Sequence, residues 1–153
     1  MIELYAAPTS NGMRARIALE ESGLPYQLHP VALAKGEHKS PEFLALNPNA
    51  QIPVIDDRDA PGGKPLTLSQ STAILLYCAE KSGRFMPREG AARAAKWQAL
   101  KSASTDITLT FGAMNAAKAH PEAAAFFKDR LRQFFQVWDE RLGRQKHAAG
   151  DEL

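Results

Sequence analysis

Eight of the ten prolines lie within residues 1–82, whereas residues 83–153 hold two prolines and fifteen alanines. Proline fixes φ and donates no backbone hydrogen bond, so it is excluded from helix interiors and central strands. Eight of them between short apolar runs force the first stretch into short strands and helices with tight connections. An alanine-rich stretch with few breakers favours long helices instead. The sequence therefore predicts residues 1–82 as one domain, a linker over 83–90 (GRFMPREG), and an all-helical part over 91–153. Charge divides at the same place, with seven Lys/Arg against nine Asp/Glu before it and twelve against eight after it. The net charge of +2 makes no case for non-specific nucleic-acid binding. One cysteine rules out an internal disulfide framework and a multi-cysteine zinc site. The histidines at 29, 38, 120 and 147 lack ligand spacing, so no metal is expected. No apolar run approaches the roughly 18 residues of a membrane span. The opening MIELYAAPTS has neither the basic nor the apolar segment of a signal peptide. The expectation is a soluble cytoplasmic protein with no membrane and no nucleic-acid partner.

Ile2-Glu3-Leu4-Tyr5-Ala6 alternates and predicts a strand. Pro8-Thr9-Ser10-Asn11 carries capping side chains that open a helix through Met13, Ile17, Ala18 and Glu20, with Gly23 as its stop. A second strand is expected over 26–33, parallel to the first through a right-handed crossover. Ser40-Pro41-Glu42-Phe43 starts a short helix that ends before Asn47-Pro48. Residues 53–56 and 65–68 read as strands of a hairpin joined by the turn-rich DRDAPGGK. A helix over 70–81 with Ala73, Ile74, Leu76 and Tyr77 inward completes the order βαβαββα. Farther on, Trp97, Leu100, Ile107 and Phe111 recur at helical spacing over 91–115. Phe127, Leu131, Phe134, Trp138 and Leu142 do the same after Pro121, which suits a first helical position. These two segments form a helical hairpin whose apolar stripes are only partly covered.

Three stretches carry more specific information: APTSNGMRARIALEE over 7–21, NPNAQIPV over 47–54 and LSQSTAILLY over 68–77. In this order, and followed by an all-helical part, they make the chain resemble the cytosolic glutathione transferases. Pro-Thr-x-Asn-Gly after the first strand is most similar to the bacterial nu-class and related disulfide-reducing members. The resemblance covers nearly the whole chain and is firmest over residues 1–82. It implies an α/β thioredoxin-like domain followed by an all-α domain, with glutathione as cosubstrate, no metal, and a homodimer. It also implies that the helical domain is incomplete, since members continue with further helices. A truncated chain with Trp138 underpacked is the expectation, and the closing Asp-Glu-Leu, lacking the Lys, is not read as a retention signal.

Under that resemblance each motif acquires a physical use. The family keeps the bond matching Ile52-Pro53 cis, which turns the Ile52 backbone outward to pair with the cysteinyl backbone of an extended tripeptide. Composition alone favours a trans bond, since cis accounts for about 5–6% of X–Pro bonds. Gln70 and Ser71 match the pair that holds the γ-glutamyl carboxylate, where hydroxyl, backbone N–H and helix dipole all favour an anion. Without the resemblance, Ser69 or Ser71 reads as an N-cap.

Thr9, Ser10 and Asn11 are the candidates for activating the thiol. A free thiol has a pKa of about 8.5, and lowering it by about two units takes roughly 2.7 kcal/mol. One hydrogen bond to a charged sulfur supplies on the order of 1.5–3 kcal/mol, and a helix N-terminus adds about 0.3–1 kcal/mol. One well-placed donor suffices, and the segment has no His, Asp or Glu to serve as a general base. In nu-class members the residues matching Thr9 and Asn11 approach the sulfur. Ser10 lies where some classes carry a catalytic Cys. Which of the three makes the contact stays open.

His38 or Lys39 lies where relatives touch the glycine end of glutathione, although nu-class proteins often have Gln there. Gln51 is a second possible contact. Cys78 is expected to be buried and structural, and Tyr5 a half-buried strand residue. Arg14 and Arg16 lie on the first helix, Arg16 as an exposed i,i+4 partner of Glu20. Asp106 is either a solvated helix residue or a reach to the γ-glutamyl amine across a dimer interface. Arg130, Arg132, Arg141, Arg144 and Lys146, among Asp129, Asp139 and Glu140, read as a salt-bridged exposed face. The implied activity is attack by glutathione thiolate on an electrophile or a disulfide, with the motif tilting toward the disulfide. The alternative is a non-catalytic glutathione-binding module of the same fold.

Overall fold

The computed structural model describes residues 1–151. Glu152 and Leu153, on which the reading of the terminal tripeptide rests, lie outside them. The chain divides into two compact units, Met1–Met86 and the residues from Pro87 onward.

The first unit is built on a four-stranded mixed sheet. Its elements are β1 (Ile2–Ala6), α1 (Ser10–Ser22), β2 (Tyr26–Pro30), α2 (Pro41–Leu46), β3 (Val54–Asp57), β4 (Leu66–Ser69) and α3 (Ser71–Ser82). The strand order is β2-β1-β3-β4. β1 runs parallel to β2, with Leu4 opposite Leu28, and antiparallel to β3, with Leu4 opposite Ile55. β3 and β4 form the expected hairpin, Val54 opposite Ser69 and Asp57 opposite Leu66. Strand alternation decides which side chains face which layer. Ile2, Leu4 and Ala6 point to one face and pack with Ala15 and Leu19 of α1 and Ile74 and Cys78 of α3. Val54 turns to the opposite face and meets Phe43 of α2, with Val31 and Ile52 beside it. The result is an α/β thioredoxin-like domain with the sheet between helices, as the order βαβαββα requires.

The helix ends follow local chemistry. Thr9 caps α1, its Oγ1 accepting from the N–H of Gly12 at 3.2 Å. Gly23 closes the helix at φ 66°, a conformation that favours glycine. Ser40 caps α2 by accepting from the N–H of Phe43. β3, β4 and α3 lie within one residue of expectation, and the larger difference is in β2, which stops at Pro30, not at residue 33. Pro30 has no N–H for the ladder; after Val31 donates a last bond to Ala6 the chain turns through two 3-10 turns, Leu33–Lys35 and Glu37–Lys39.

The second unit is helical. α4 (Gly90–Lys101) continues through a π segment (Ser102–Ile107) into α5 (Thr108–Ala116), and α6 (Pro121–Leu142) packs back against α5. The expected single helix is therefore interrupted in pitch. Its cause is a run of hydroxyls: Ser104 and Thr105 donate to the Lys101 carbonyl, and Thr108 donates to the Ala103 carbonyl. Such side chains compete with backbone N–H groups for helix carbonyls. Trp138 on α6 donates from Nε1 to Ser102 Oγ at 3.2 Å, and Leu131 is buried. Phe111, Phe135 and Leu142 remain about half exposed and line an open groove of about 820 Å³. The expected salt-bridged face is corrected in part. Arg132 pairs with Asp129, but Arg130 lies over the Phe134 ring and Arg141 over the Trp138 ring. A guanidinium gains from such a π face without another charge. Among the described residues no helix is long and apolar enough to cross a membrane.

Candidate functional site

A cleft of about 300 Å³ opens in the first unit where the start of α3, the loop before β3 and the first turn of α1 converge. Seven of the residues singled out from the sequence line it: Asn11, His38, Gln51, Ile52, Pro53, Gln70 and Ser71. Thr9 and Ser10 are not among the lining residues; the Thr9 hydroxyl is engaged in capping α1. Leu33, Asn47 and Ala50 complete the wall and were not anticipated from their residue types.

Each element delivers its residue for a local reason. Gly12 lets α1 approach the preceding turn: a Cβ there would sit 2.1 Å from the Ala7 carbonyl oxygen. That approach sets Asn11 at the mouth of the cleft. Buried Asn47 donates from Nδ2 to the Gln51 carbonyl at 2.7 Å and accepts from the N–H of Asn49, which pins the turn leading to Ile52. The Ile52–Pro53 peptide is cis. Glu37 accepts the N–H of Ala32 at 2.6 Å and braces the paired 3-10 turns that carry His38. His38 Nδ1 is shielded from solvent and has no hydrogen-bond partner among the described residues. A buried polar atom left unpaired costs about 1–3 kcal/mol.

Ser71, 7% exposed, opens α3. The N-cap position is Gln70, not Ser69 or Ser71, and no side chain caps this helix. The positive end of the α3 dipole therefore faces the cleft without a capping oxygen, an arrangement suited to an anion. Gln70 holds φ 74° and Ala50 φ 54°. Each non-glycine residue in such a conformation costs on the order of 1–3 kcal/mol, and strain of this kind collects at functional sites. Both residues line the cleft.

Arg14, named from the sequence only as one of two arginines on the first helix, contributes to the site. Its Nη1 donates to Asn11 Oδ1 at 2.8 Å and to Ser71 Oγ at 3.3 Å. Arg16 instead lies 3.9 Å from Glu20, the expected exposed pair. Away from the cleft, buried Asp57 accepts from the Tyr77 hydroxyl at 2.5 Å and pairs with Lys81. Desolvation pushes the Asp57 carboxyl up, but the hydrogen bonds from Lys81, Tyr77 and the Asp59 N–H outweigh it and hold the group below its usual range. Burial, then the hydrogen bond to Asp57 and the charge of that carboxylate, pushes the Tyr77 hydroxyl well above its ordinary value. Cys78 is fully buried, and Tyr5 is half-buried and stacked on His29. Among the described residues no group of three or more His, Cys, Asp or Glu could hold a metal ion.

Residues 10–81 match the family model "Glutathione S-transferase, N-terminal domain". The chain is 50% identical over 99 residues to Disulfide-bond oxidoreductase YfcG of Escherichia coli (strain K12), a match spanning 64% of this chain and 46% of that protein. It is 32% identical over 165 residues to Glutathione S-transferase 3 of Zea mays, covering 99% of this chain and 72% of the maize protein. Its backbone resembles that of a glutathione transferase family member from Pseudomonas fluorescens solved with two glutathione bound. The TM-score is 0.92, with 35% identity over 99% of this chain and 70% of the other. A glutathione transferase from Pseudomonas putida, solved with one glutathione disulfide bound per subunit, superposes with a TM-score of 0.91 at 33% identity, covering 99% of this chain and 69% of that one. With the thioredoxin-like sheet, the cis Ile52–Pro53 peptide and the uncapped α3 terminus already in place, these matches close the question of kinship: the chain belongs to the glutathione S-transferase family.

Proposed function

We propose that the cleft binds glutathione and that the first turn of α1 activates its thiol for attack on a disulfide. The observation carrying this reading is the convergence of Asn11, the Gln51-Ile52-Pro53 backbone and the Gln70-Ser71 helix terminus on one cleft. In it the Ser71 end of α3 takes the γ-glutamyl carboxylate, Ile52 pairs with the cysteinyl backbone, and His38 and Gln51 meet the glycine end. Asn11 donates to the sulfur, with Thr9 and Ser10 shaping the turn. The thiolate attacks one sulfur of a disulfide, forms a mixed disulfide with glutathione, and releases the other sulfur as a thiolate, which takes a proton from solvent. The naming of the Escherichia coli relative as a disulfide-bond oxidoreductase, at 50% identity, supports reduction over conjugation. The same thiolate would conjugate an electrophile, the activity named in the maize relative. Residues 1–82 form the glutathione-binding domain. The protein works as a homodimer in the cytoplasm, where a reduced glutathione pool is available.

Rates on a small mixed disulfide and on a chloronitroarene, measured with glutathione in the same preparation, test the reading. Faster disulfide reduction is the expected result, and the reverse ranking refutes that preference. Loss of turnover in Asn11→Ala with glutathione affinity retained supports catalysis. Glutathione binding with no turnover on either acceptor in the wild type establishes the binding module instead.

A further inference from the structure

We propose that Arg14 is a positioning residue that sets the hydrogen-bonding polarity of the cleft, holding Asn11 and Ser71 as donors toward the thiol and carboxylate of one ligand. The inference rests on the glutathione reading and adds a residue which that reading does not use. Arg14 is half-buried on α1, one turn beyond Asn11. Its Nη1 reaches Asn11 Oδ1 at 2.8 Å and Ser71 Oγ at 3.3 Å.

A guanidinium has donors and no acceptor, so whatever it bonds must present an acceptor to it. For Asn11 this fixes an amide that could otherwise sit either way round. With Oδ1 turned to Arg14, the opposite limb, Nδ2 with its two N–H groups, is left for the cleft that Asn11 lines. For Ser71, a lone pair engaged by Arg14 leaves the O–H free to donate elsewhere. Thiolate and carboxylate are both acceptors, and a flipped Asn11 carbonyl facing the sulfur would repel it. Arg14 removes that alternative. It also reaches Ser71, 57 residues away in sequence, so the first turns of α1 and α3 share one cation. That positive charge has the same sign as both helix N-termini and adds to their pull on anions.

The test titrates wild type, Arg14→Met, Arg14→Lys, Asn11→Ala and the Asn11→Ala/Arg14→Met double variant with glutathione. Calorimetry reads affinity, and ultraviolet absorbance of the bound thiolate reads its midpoint against pH. Arg14→Met is expected to raise that midpoint by about one pH unit, an about tenfold loss of thiolate below it, and to weaken binding several-fold. Arg14→Lys restores part of both, because an ammonium also only donates. With Asn11 already alanine, removing Arg14 moves the midpoint by much less, the signature of action chiefly through Asn11. An unmoved midpoint in Arg14→Met overturns the proposal whatever that variant's melting temperature, and so does an equal shift in the Asn11→Ala background. A wild type whose bound thiol titrates like free glutathione overturns the functional reading, and the Arg14 inference with it. A normal wild type with an unresponsive Arg14→Met overturns the Arg14 inference alone.

Discussion

Gly12→Ala and Gly112→Ala are the same chemical change with opposite expected signs. A Cβ on residue 12 would lie 2.1 Å from the Ala7 carbonyl oxygen, and its neighbours there are backbone atoms that cannot swing away. Carbon and oxygen approach to only about 3.3 Å even in close C–H···O contacts, so α1 must move by about 1 Å. The movement strains the Thr9 cap on the Gly12 N–H and the 2.7 Å bond from the Thr9 N–H to the Ala7 carbonyl. Losing a cap costs about 0.5–2 kcal/mol, and losing the turn bond about 0.5–1.5 kcal/mol. Residual overpacking adds about 1–3 kcal/mol, while the better helix propensity of alanine returns at most about 1 kcal/mol. The net is about 2–4 kcal/mol of destabilisation. At about 4–8 °C per kcal/mol, the thermal midpoint of the first unit falls by about 8–32 °C. Among the described residues, nothing beyond its chain neighbours and its own helix backbone lies within 4 Å of the Cβ position of Gly112, in α5. Its replacement stabilises by about 0.5–1 kcal/mol, the ordinary gain of alanine over glycine inside a helix. Circular dichroism melts with calorimetry read both variants. Equal shifts, or a Gly12→Ala midpoint within about 2 °C of wild type, refute the steric argument.

Asp57→Asn leaves Lys81 beside a neutral amide and should destabilise by about 3 kcal/mol at neutral pH, the scale for removing one partner of a buried pair. Because the folded Asp57 carboxyl sits below its ordinary value, its contribution is complete above the unfolded value near pH 4 and fades as pH falls through the folded one. Urea denaturation of wild type and variant should therefore converge in acid; a gap that widens below about pH 4 would reverse the sign. Cys78 is buried, and desolvation followed by the Asp57 charge pushes its thiol up to about 11. Iodoacetamide should leave it unmodified in the native protein at neutral pH and modify it fully in denaturant, and rapid native labelling would contradict the burial.

What the sequence could announce was local. The alternation of residues 2–6, the Thr9 cap, the Gly23 stop and the Ser40-Pro41 helix start each depend on near neighbours, and each appears as expected. The cleft was legible where a motif names it, at Ile52-Pro53 and Gln70-Ser71. Arg14 was not, because its charge looks like any other on a helix surface until the fold brings Ser71 to it. Asp57 opened a turn-rich, charged run, and nothing nearby in sequence reveals that Tyr77 and Lys81 come from another layer to meet it. The π segment escaped for a different reason: apolar spacing over 91–115 reports which residues are apolar, not how serine and threonine hydroxyls redistribute carbonyl acceptors.

The Asp57 contact also bears on how the cleft meets a ligand. It grips α3 near its far end, at Tyr77 and Lys81, while Ser71 at the near end forms the cleft wall. Ten residues of helix separate Ser71 from Lys81, about 15 Å of rise. α3 is thus clamped to the sheet like a beam fixed at its remote end, with little freedom to slide or roll as the anion arrives. The ordering of that wall is completed during folding, so under the proposed glutathione reading an incoming carboxylate meets N–H groups already aimed at it, and the binding entropy is spared that loss.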